Sequence, residues 1–535
     1  MRRLILSNRP AAWSGPVVRP DQPLPAAAAF DAIVVDGPPG PRAADELAAI
    51  RAAVEAGTPL LAVAVDGPDG FWSDLLGVRS DDPAPVAEYI ATVSPSSPLG
   101  VRLDPVFPFV DRFRPLVVVD GGVSSVVEAS IGHRDRPLLT SVRRGAGRVL
   151  ACALGADDAV LRLPVLAALL ARALAPEPAA TRPLGVAIVG YGPYGGMGWY
   201  HGLGIAATEG LELVAVVDPS DDRRKAAGDD FPGLAAYATV DDLLADGDVD
   251  LAFVATPPSA HFGLTASLLR AGKHVACEKP LCLTAAQADE LIDVSGAVGR
   301  VLTVHQNRRW DPDFLAVRRA VDAGMLGDLF NVETFVGGFE HPCRAWHSDV
   351  EVSGGAVYDW GSHHVDWILQ LLGSPPARVT TFGHKRVWHD VTNLDQLRLH
   401  LSWDDGREAE FFQSDVAAVR RPKFYVQGTA GTLVGEYRPL TFERIEAGRG
   451  YVADRPHHAE APASLTLARY ESGYGLTSTE LPVAPEQRYA FHRNLADHLL
   501  LGEPLAVTAA SVRSVVAVLE ASQRSSDEGG RVIEL

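Results

Sequence analysis

The sequence predicts an α/β protein built from three consecutive blocks, the second of which contains a doubly wound parallel sheet. Short apolar runs alternate with helical stretches through residues 1–305, as in parallel sheets that are covered by helices. Beyond residue 306, several strand-like runs follow one another without helices between them, which indicates an open, mostly antiparallel sheet. We therefore expect domains at 1–175, 184–305 and 306–535, with a proline- and alanine-rich linker at 176–183.

The first block opens with short apolar runs of the kind that parallel sheets bury. A helix is predicted at 42–56, where Leu47, Ile50 and Val54 recur at helical spacing before Gly57. A second helix is expected near 161–174. The strand-like runs are RLIL (3–6), FDAIVV (30–35), PLLAVAV (59–65), PLVVVDGG (115–122) and GRVLACALG (147–155).

The other two blocks differ in the order of their elements. In the second block, strands alternate with helices and are expected near 185–190, 211–217, 250–255, 273–277 and 300–304. The third block has one helix near 357–372 and then strands at 378–384, 396–403, 408–414 and 423–428. We expect its final helix, near 508–525, to pack back on the second block.

Composition and charge restrict the class of function. The chain has 535 residues and a formal net charge of −19, which argues against a broad surface for nucleic acid or anionic membranes. Its four cysteines form no disulfide framework, and we expect no zinc or other metal site, the HPCRAWH cluster (341–347) included. The first apolar run ends at Ser7 and no segment approaches the ~18 apolar residues of a membrane span, so a cytoplasmic protein is expected.

A dinucleotide-binding motif follows the first strand of the second block. VAIVGYGPYGG places Gly190, Gly192 and Gly195 in GxGxxG spacing, which lets backbone N–H groups approach a pyrophosphate at a helix N-terminus. The next strand ends at Asp218, close to the offset at which an acid holds the ribose hydroxyls. Asp218 favours NAD, while the two arginines of DDRRK (221–225) leave NADP open.

Two further motifs contain residues suited to acid–base chemistry. CEKPL ends a strand with Glu278, Lys279 and Pro280. DWGSHHVD places Asp359 and His363 four residues apart, which on a helix puts both side chains on one face.

Taken in order, these motifs resemble the Gfo/Idh/MocA family of oxidoreductases. The resemblance covers roughly residues 183–535 and includes the glycine loop, ATPPSAHF, CEKPL, VHQNRRWDPDF and DWGSHHVD. It implies a Rossmann domain followed by an α/β domain whose open sheet often forms the oligomer interface, so a homo-oligomer is expected. It also implies NAD(P)-dependent chemistry at a secondary alcohol carbon of a sugar, inositol or related polyol.

The resemblance also assigns the catalytic positions. Lys279 is the lysine of the EKP motif, with an expected cis bond before Pro280, and Asp359 and His363 match the second motif. The chemistry agrees, because removal of a hydroxyl proton suits a histidine, whose ordinary pKa is about 6.5. We expect Asp359 to orient that imidazole and Lys279 to stabilise negative charge on the oxygen.

Other residues near these motifs are candidates for ligand contact. For the cofactor, beside the glycine loop and Asp218, they are Thr256, Pro257, His261, Glu278 and Lys279. For the substrate they are Asn307, Arg308, Trp310, Trp346, Tyr358 and His364, which offer stacking or hydrogen-bonding groups.

The first block resembles the flavodoxin-like fold shared by ThuA-like and class I glutamine-amidotransferase-like domains. The match rests on strand order, AGTPLLAV (56–63) and GAGRVLACALGADD (144–157). Amidotransferase chemistry needs a cysteine activated by a histidine. The first cysteine is Cys152, within an apolar strand, and His133 is the only histidine of the block. We expect a non-catalytic module that is structural, binds a partner or retains a degenerate sugar site.

Two other functions stay open at this point. An NAD-dependent glycosidase, an offshoot of the same family, oxidises a ring carbon transiently and then eliminates the aglycone. The intact EKP motif favours simple dehydrogenation instead. A non-catalytic sensor or scaffold would bind NAD(H) without turning over any sugar.

Overall fold

A computed structural model describes residues 3–7, 17–19, 22–37, 42–64, 68, 70–94, 97–100, 103, 106–174, 182–192, 196–342, 346–438 and 462–535. The chain forms two units, Met1–Ala180 with Asp497–Pro504 and Thr181–Ala496 with Leu505–Leu535. None of the helices in the described segments has the length and apolar content that crossing a bilayer requires.

The first unit is an α/β fold. Its strands are β1 (Arg3–Ser7), β2 (Val17–Val18), β3 (Ala32–Asp36), β4 (Leu60–Val63), β5 (Val78–Ser80), β6 (Glu88–Val93), β7 (Val106–Val110), β8 (Leu116–Val118), β9 (Ser124–Ile131), β10 (Arg134–Arg144) and β11 (Gly147–Cys152). Its helices are α1 (Ala44–Glu55), α2 (Gly70–Leu76), α3 (Asp158–Leu161) and α4 (Pro164–Leu174).

The parallel part of this sheet has the strand order β2-β1-β3-β4-β11. Counted along the chain, this is the 2-1-3-4-5 order of flavodoxin-like folds. Every residue of β3 and β4 is buried, because helices cover both faces of such a sheet. That burial explains why these strands are continuous apolar runs without alternation.

An antiparallel extension, β10-β9-β6-β7, continues the same sheet and was not predicted from the sequence. The β9–β10 hairpin turns through Gly132 and His133, with φ of 60° and 62°. Two successive residues with positive φ are typical of the tight turns whose twist matches antiparallel strands. Strand β8, which lies within the predicted strand-like run 115–122, pairs with β5 in a separate two-stranded sheet.

The second unit begins with a doubly wound parallel sheet. Its strands are β12 (Leu184–Val189), β13 (Leu211–Val217), β14 (Ala235–Tyr237), β15 (Leu251–Val254), β16 (His274–Cys277) and β17 (Leu302–Val304). The helices are α5 (Met197–Ala206), α6 (Asp221–Asp230), α7 (Val240–Leu244), α8 (Pro258–Arg270) and α9 (Ala285–Val298). The order β14-β13-β12-β15-β16-β17 is the Rossmann order 3-2-1-4-5-6. It reverses between β12 and β15, so the ligand crevice lies at the carboxyl ends of these two strands.

The remaining elements form a nine-stranded sheet and its helices. The strands are β18 (Leu329–Gly337), β19 (Arg378–His384), β20 (Gln396–Ser402), β21 (Glu408–Ser414), β22 (Phe424–Gly428), β23 (Gly431–Glu436), β24 (Ser464–Glu471), β25 (Gly475–Leu481) and β26 (Ile533–Glu534). The helices are α10 (Pro312–Asp322), α11 (Val350–Ser353), α12 (Ala356–Asp359), α13 (Gly361–Leu372), α14 (Ala490–Leu501) and α15 (Ala509–Asp527).

This sheet is open and mostly antiparallel, as the sequence predicts. Its order is β25-β24-β23-β22-β18-β21-β20-β19-β26, and only the β18–β21 pair is parallel. Helices α13 and α15 pack on the sheet, and α15 also contacts α9 and β17 of the parallel sheet. The two sheets of the second unit therefore share the helix that ends the chain.

Two arginine–aspartate pairs with similar geometry fix helices of this unit. Arg309 donates to both carboxylate oxygens of Asp366 on α13, at 2.8 and 2.6 Å, and both side chains are buried. Arg513 on α15 binds Asp289 on α9 in the same two-bond manner, at 2.9 Å for each bond, but this pair is exposed. The buried pair positions the helix that carries His363.

Candidate active site

The turn after β12 requires glycine. Gly190 has φ of +93°, and a Cβ atom there would lie 2.8 Å from the Thr256 side chain and 2.9 Å from the Ala255 carbonyl oxygen. Gly192 also has positive φ, +34°, and among the described residues beyond its chain neighbours no atom lies within 4 Å of the position of its Cβ. The backbone of this loop is thus closely packed on one side and open to a ligand on the other.

The glycine that brings helix α5 close to the loop is Gly198, which the sequence analysis did not single out. A Cβ at Gly198 would lie 2.7 Å from Cα of Tyr191 and 3.0 Å from the Gly190 carbonyl oxygen. Gly195, which we predicted for the third position of the motif, lies outside the described residues. The helix begins only at Met197, so extra residues separate the second glycine of the motif from the close-packing one.

Asp218 lies at the carboxyl end of β13 and binds the glycine loop directly. One carboxylate oxygen accepts the N–H groups of Tyr191 and Gly192, at 2.9 and 3.1 Å, and the other accepts the Ser220 N–H at 2.9 Å. Arg224 donates to the Asp218 carbonyl oxygen at 2.5 Å and pairs with Asp221. The acid predicted to hold a ribose therefore lies against the loop predicted to hold the pyrophosphate.

The loop after β15 forms the opposite side of the crevice. Pro257 precedes helix α8, and the Thr256 hydroxyl is buried without a hydrogen-bond partner among the described residues. Such a hydroxyl, beside a glycine turn with open space, is available to a bound ligand. These features fit a dinucleotide across the β12–β15 switch point.

His261 does not line this crevice, contrary to our prediction of cofactor contact. It is fully buried. Its ring nitrogens lie 2.7 Å from the carbonyl oxygens of Pro280 and Thr256. The His261 side chain therefore links the loop that contains Lys279 and Pro280 to the turn at Thr256. It contributes to a cofactor site only by holding these two segments in position.

Glu278, which we also predicted to contact the cofactor, is buried and is bonded to protein groups. Its carboxylate lies 3.0 Å from Nε2 of His201 and 2.8 Å from Nδ1 of His305, and it accepts the Lys279 N–H at 3.1 Å. Burial alone would raise the pKa of Glu278, but the contacts with His305 and His201 hold it well below its usual range. Burial lowers the pKa of His201 to about 4, so that imidazole is neutral at pH 7.

Lys279 and Asp359 are brought together from distant parts of the chain. The Lys279 ammonium lies 2.5 Å from a carboxylate oxygen of Asp359, and both side chains are partly exposed. The peptide bond between Lys279 and Pro280 is cis, as the family resemblance implies. The lysine follows β16 and the aspartate ends α12, so the pair joins the carboxyl end of the parallel sheet to the helices on the other sheet.

His363 lies on the first turn of α13 and is 5% exposed. Burial, and then the positive charges of Lys279 and Arg308, lower its pKa well below the ordinary value, so the imidazole is neutral at pH 7. We expected Asp359 to orient this ring. Instead the carboxylate binds Lys279, and Nδ1 of His363 has no hydrogen-bond partner among the described residues.

Some predicted substrate contacts lie beside this centre. The Arg308 guanidinium lies over the Trp360 ring at 4.8 Å. Trp346 stacks on His347 at 3.6 Å. Burial lowers the pKa of His347, and the nearby charges of Asp359 and Lys279 act on it in opposite directions. Asn307 is half-buried in the short 3₁₀ helix that also contains Trp310, and the Trp310 ring contacts Phe491.

Two predicted substrate contacts are wrong because their side chains belong to the core. Tyr358 is 4% exposed and donates its hydroxyl to the Leu283 carbonyl oxygen at 2.6 Å. His364 is 1% exposed and stacks on Phe411 of β21 at 4.8 Å. Because adjacent residues of a helix point in different directions, His363 and His364 face different surroundings.

The sequence analysis missed one acid near this centre, Asp415. It directly follows β21, and burial together with the negative charges of Asp395 and Asp359 raises its pKa to about 7. Its position at a strand end was visible in the sequence. Its proximity to Asp359 depends on the packing of α12 beside the sheet, which the sequence does not specify.

Comparison with known proteins places this geometry in a family. A family model described as "Oxidoreductase family, NAD-binding Rossmann fold" matches residues 184–306, and one described as "GFO/IDH/MocA C-terminal domain" matches residues 314–434. The chain is 32% identical to oxidoreductase YdgJ of Escherichia coli (strain K12) over 264 residues, which is 49% of this chain and 74% of that protein.

Two further matches cover nearly whole proteins. Scyllo-inositol 2-dehydrogenase (NADP(+)) IolW of Bacillus subtilis (strain 168) is 26% identical over 350 residues, 64% of this chain and 94% of that protein. The crystal structure of an NAD-binding protein from Listeria innocua is similar with a TM-score of 0.56 and 28% identity, over 66% of this chain and 97% of that one. The chain belongs to the Gfo/Idh/MocA family of oxidoreductases, with an NAD-binding Rossmann domain and the family's C-terminal domain.

Proposed function

We propose that this oxidoreductase transfers hydride between a nicotinamide cofactor and a secondary alcohol or ketone carbon of a sugar, inositol or related polyol. The observation that carries the proposal is the Lys279–Asp359 ion pair, 2.5 Å long, beside the neutral His363 at the carboxyl end of the Rossmann sheet. The likeness to an enzyme named for scyllo-inositol supports the substrate class.

Each residue of this centre has a role in alcohol oxidation. A nicotinamide cofactor whose pyrophosphate is held at the glycine loop would supply the hydride acceptor for the carbinol carbon. The neutral imidazole of His363 takes the hydroxyl proton, since an unprotonated base is required for that step. The Lys279 ammonium donates a hydrogen bond to the same oxygen and stabilises its developing negative charge. Asp359 holds the ammonium in place through a charge-assisted hydrogen bond.

The cofactor would be held by Gly190, Gly192, Asp218, Thr256 and Pro257. The acid at the end of β13 favours NAD, because a carboxylate repels a 2′-phosphate. Arg224, which could otherwise bind that phosphate, is already engaged with the Asp218 carbonyl oxygen and Asp221. We expect tighter binding of NADH than of NADPH and a smaller difference in Asp218→Ser, measured by fluorescence titration.

The experiment is a screen of scyllo-inositol, myo-inositol and common sugars with NAD⁺ and NADP⁺, followed by nucleotide reduction. Lys279→Met and His363→Leu should each lower kcat by about 10²-fold or more, the usual size of proton-transfer and charge-stabilising effects. Lys225→Met, a lysine change at an exposed position of α6, is the matched control and should keep full activity. Normal turnover by either active-site variant, with folding verified by circular dichroism, would refute the assigned roles.

We further propose that residues 1–175 are a ThuA-like, non-catalytic domain, that 176–183 is a linker, and that 184–305 and 306–535 are the cofactor and substrate domains. The 2-1-3-4-5 order of the parallel strands supports the flavodoxin-like part of this proposal. Cys152 is fully buried, and burial raises the pKa of its thiol to about 12, which opposes a nucleophilic role. The full chain should release no ammonia from glutamine.

The protein is also proposed to be a cytoplasmic homo-oligomer. On the outer strands of the open sheet, Tyr470 and Leu476 are 73% and 82% exposed, which is unusual for large apolar side chains of a monomer. Light scattering coupled to gel filtration measures the mass, and a monomer would refute the oligomer.

A further inference from the structure

Three histidines and Glu278 form a buried cluster that the proposed reaction does not use. His201 comes from α5, His305 follows β17 and His492 lies on α14. Their exposures are 1%, 1% and 0%, and Glu278 is 7% exposed. Charged and polar groups at this depth are normally hydrogen-bonded.

The carboxylate fixes the protons on two rings. An ionised carboxylate can only accept hydrogen bonds, so His201 donates from Nε2 at 3.0 Å and His305 donates from Nδ1 at 2.8 Å. Nδ1 of His201 then carries a lone pair, and Nε2 of His305 carries one whenever that ring holds a single proton. This is the arrangement in which a carboxylate orients metal-binding histidines.

The ring of His492 completes the contacts of the cluster, and two ring nitrogens stay without a hydrogen bond in the part of the chain that the structure describes. Nε2 of His492 lies 3.0 Å from Nδ1 of His201, so it supplies the proton of that contact. Nε2 of His305 and Nδ1 of His492 have no hydrogen-bond partner among the described residues. If the His492 proton moves from Nε2 to Nδ1, each ring presents an unprotonated nitrogen and no proton leaves the cluster.

The positions suit a small cation. One ring nitrogen from each of His201, His305 and His492 lies within 4.8 Å of the other two. Nitrogens bound to tetrahedral zinc are about 3.3 Å apart, close to the 3.0 Å between His201 and His492. The rings are held by packing, because His492 stacks on Phe253 at 5.2 Å and the Cβ that Gly204 lacks would lie 2.6 Å from the His492 ring.

We propose that His201, His305 and His492 bind a divalent transition-metal ion of the zinc type, with Glu278 orienting two of the imidazoles. Imidazole ligands suit Zn²⁺, Co²⁺ and Ni²⁺ rather than Mg²⁺ or Ca²⁺. The ion would join α5, the end of β17 and α14, and the charge of Glu278 would partly balance it. Its role is structural, since it fixes the end of β17 and, through Glu278, the end of β16 that precedes Lys279.

The test uses the full-length protein, freed of any histidine tag and dialysed, with Co²⁺ and Zn²⁺ as probes. We expect uptake of about one Co²⁺ per chain with visible absorption bands of tetrahedral cobalt. Zn²⁺ in excess should raise Tm by several degrees, because it binds only the folded state. X-ray absorption on the cobalt protein should count three imidazole nitrogens.

Two variants distinguish metal binding at this cluster from metal binding at other buried histidines. His492→Phe keeps the stack on Phe253 and should abolish both Co²⁺ uptake and the Zn²⁺-dependent rise in Tm. His364→Phe removes an equally buried imidazole from another site and should retain both. Absence of Co²⁺ uptake by the unmodified protein would overturn the proposal, as would equal uptake by the His492 variant. Should His492→Phe fail to fold, the imidazole count in the unmodified protein decides: fewer than three imidazoles overturns the site.

Discussion

Replacement of Gly198 by alanine tests whether the contact between helix α5 and the glycine loop governs cofactor binding. The new Cβ would lie 2.7 Å from Cα of Tyr191, 2.9 Å from its carbonyl oxygen and 3.0 Å from the Gly190 carbonyl oxygen. All three are backbone atoms, which cannot rotate away as a side chain can. Inserting a methyl group into such a contact costs about 1–3 kcal/mol.

In the free protein the loop can relax away from that methyl group, whereas a bound pyrophosphate requires the original geometry. The strain therefore raises the free energy of the NADH complex and not that of the free protein. A rise of about 1–3 kcal/mol corresponds to a roughly 5- to 150-fold higher Kd for NADH.

The assay is fluorescence titration with NADH, and the matched control is Gly228→Ala in helix α6. Apart from its chain neighbours and the nearby backbone of its own helix, no atom of the described residues lies within 4 Å of the Cβ position at Gly228. The control should keep the Kd and gain up to about 1 kcal/mol of stability from alanine's higher helix propensity. An unchanged Kd in Gly198→Ala, in protein with a normal circular dichroism spectrum, would refute the argument.

Two further predictions concern the charges around His363. Asp366→Asn should lower the stability of the second unit by about 3–5 kcal/mol, because it leaves the buried Arg309 without its counter-charge. The control, Asp289→Asn, breaks the exposed pair and should cost at most about 1 kcal/mol. Equal shifts in the thermal midpoint of the two variants would contradict this prediction. Since burial, Lys279 and Arg308 all lower the pKa of His363, kcat/KM for alcohol oxidation should fall only below pH 6.5. Arg308→Met removes one positive charge and should move that acidic limb to higher pH; movement to lower pH would exclude His363 as the base.

Local pattern was sufficient to predict the longer strands of both parallel sheets and four strands of the open sheet. The strands at 378–384 and 408–414 were predicted with the bounds that the structure has, because alternating or continuous apolar runs reflect burial of each residue. The antiparallel extension of the first sheet was missed. Its hairpin depends on two residues with positive φ, Gly132 and His133, and histidine is not a usual signal for such a turn.

Within the candidate site, the sequence by itself determined which residue types stand at strand ends, namely the glycine turn, Asp218 and Lys279. It could not determine which side chains these residues contact, because the contacting side chains come from distant segments of the chain. Only the tertiary structure paired Asp359 with Lys279, placed Tyr358 and His364 in the core, and gathered three histidines, two of which contact Glu278. The physical reason is that burial and hydrogen bonding depend on which helix faces pack together, and neither periodicity nor spacing along one segment specifies that choice.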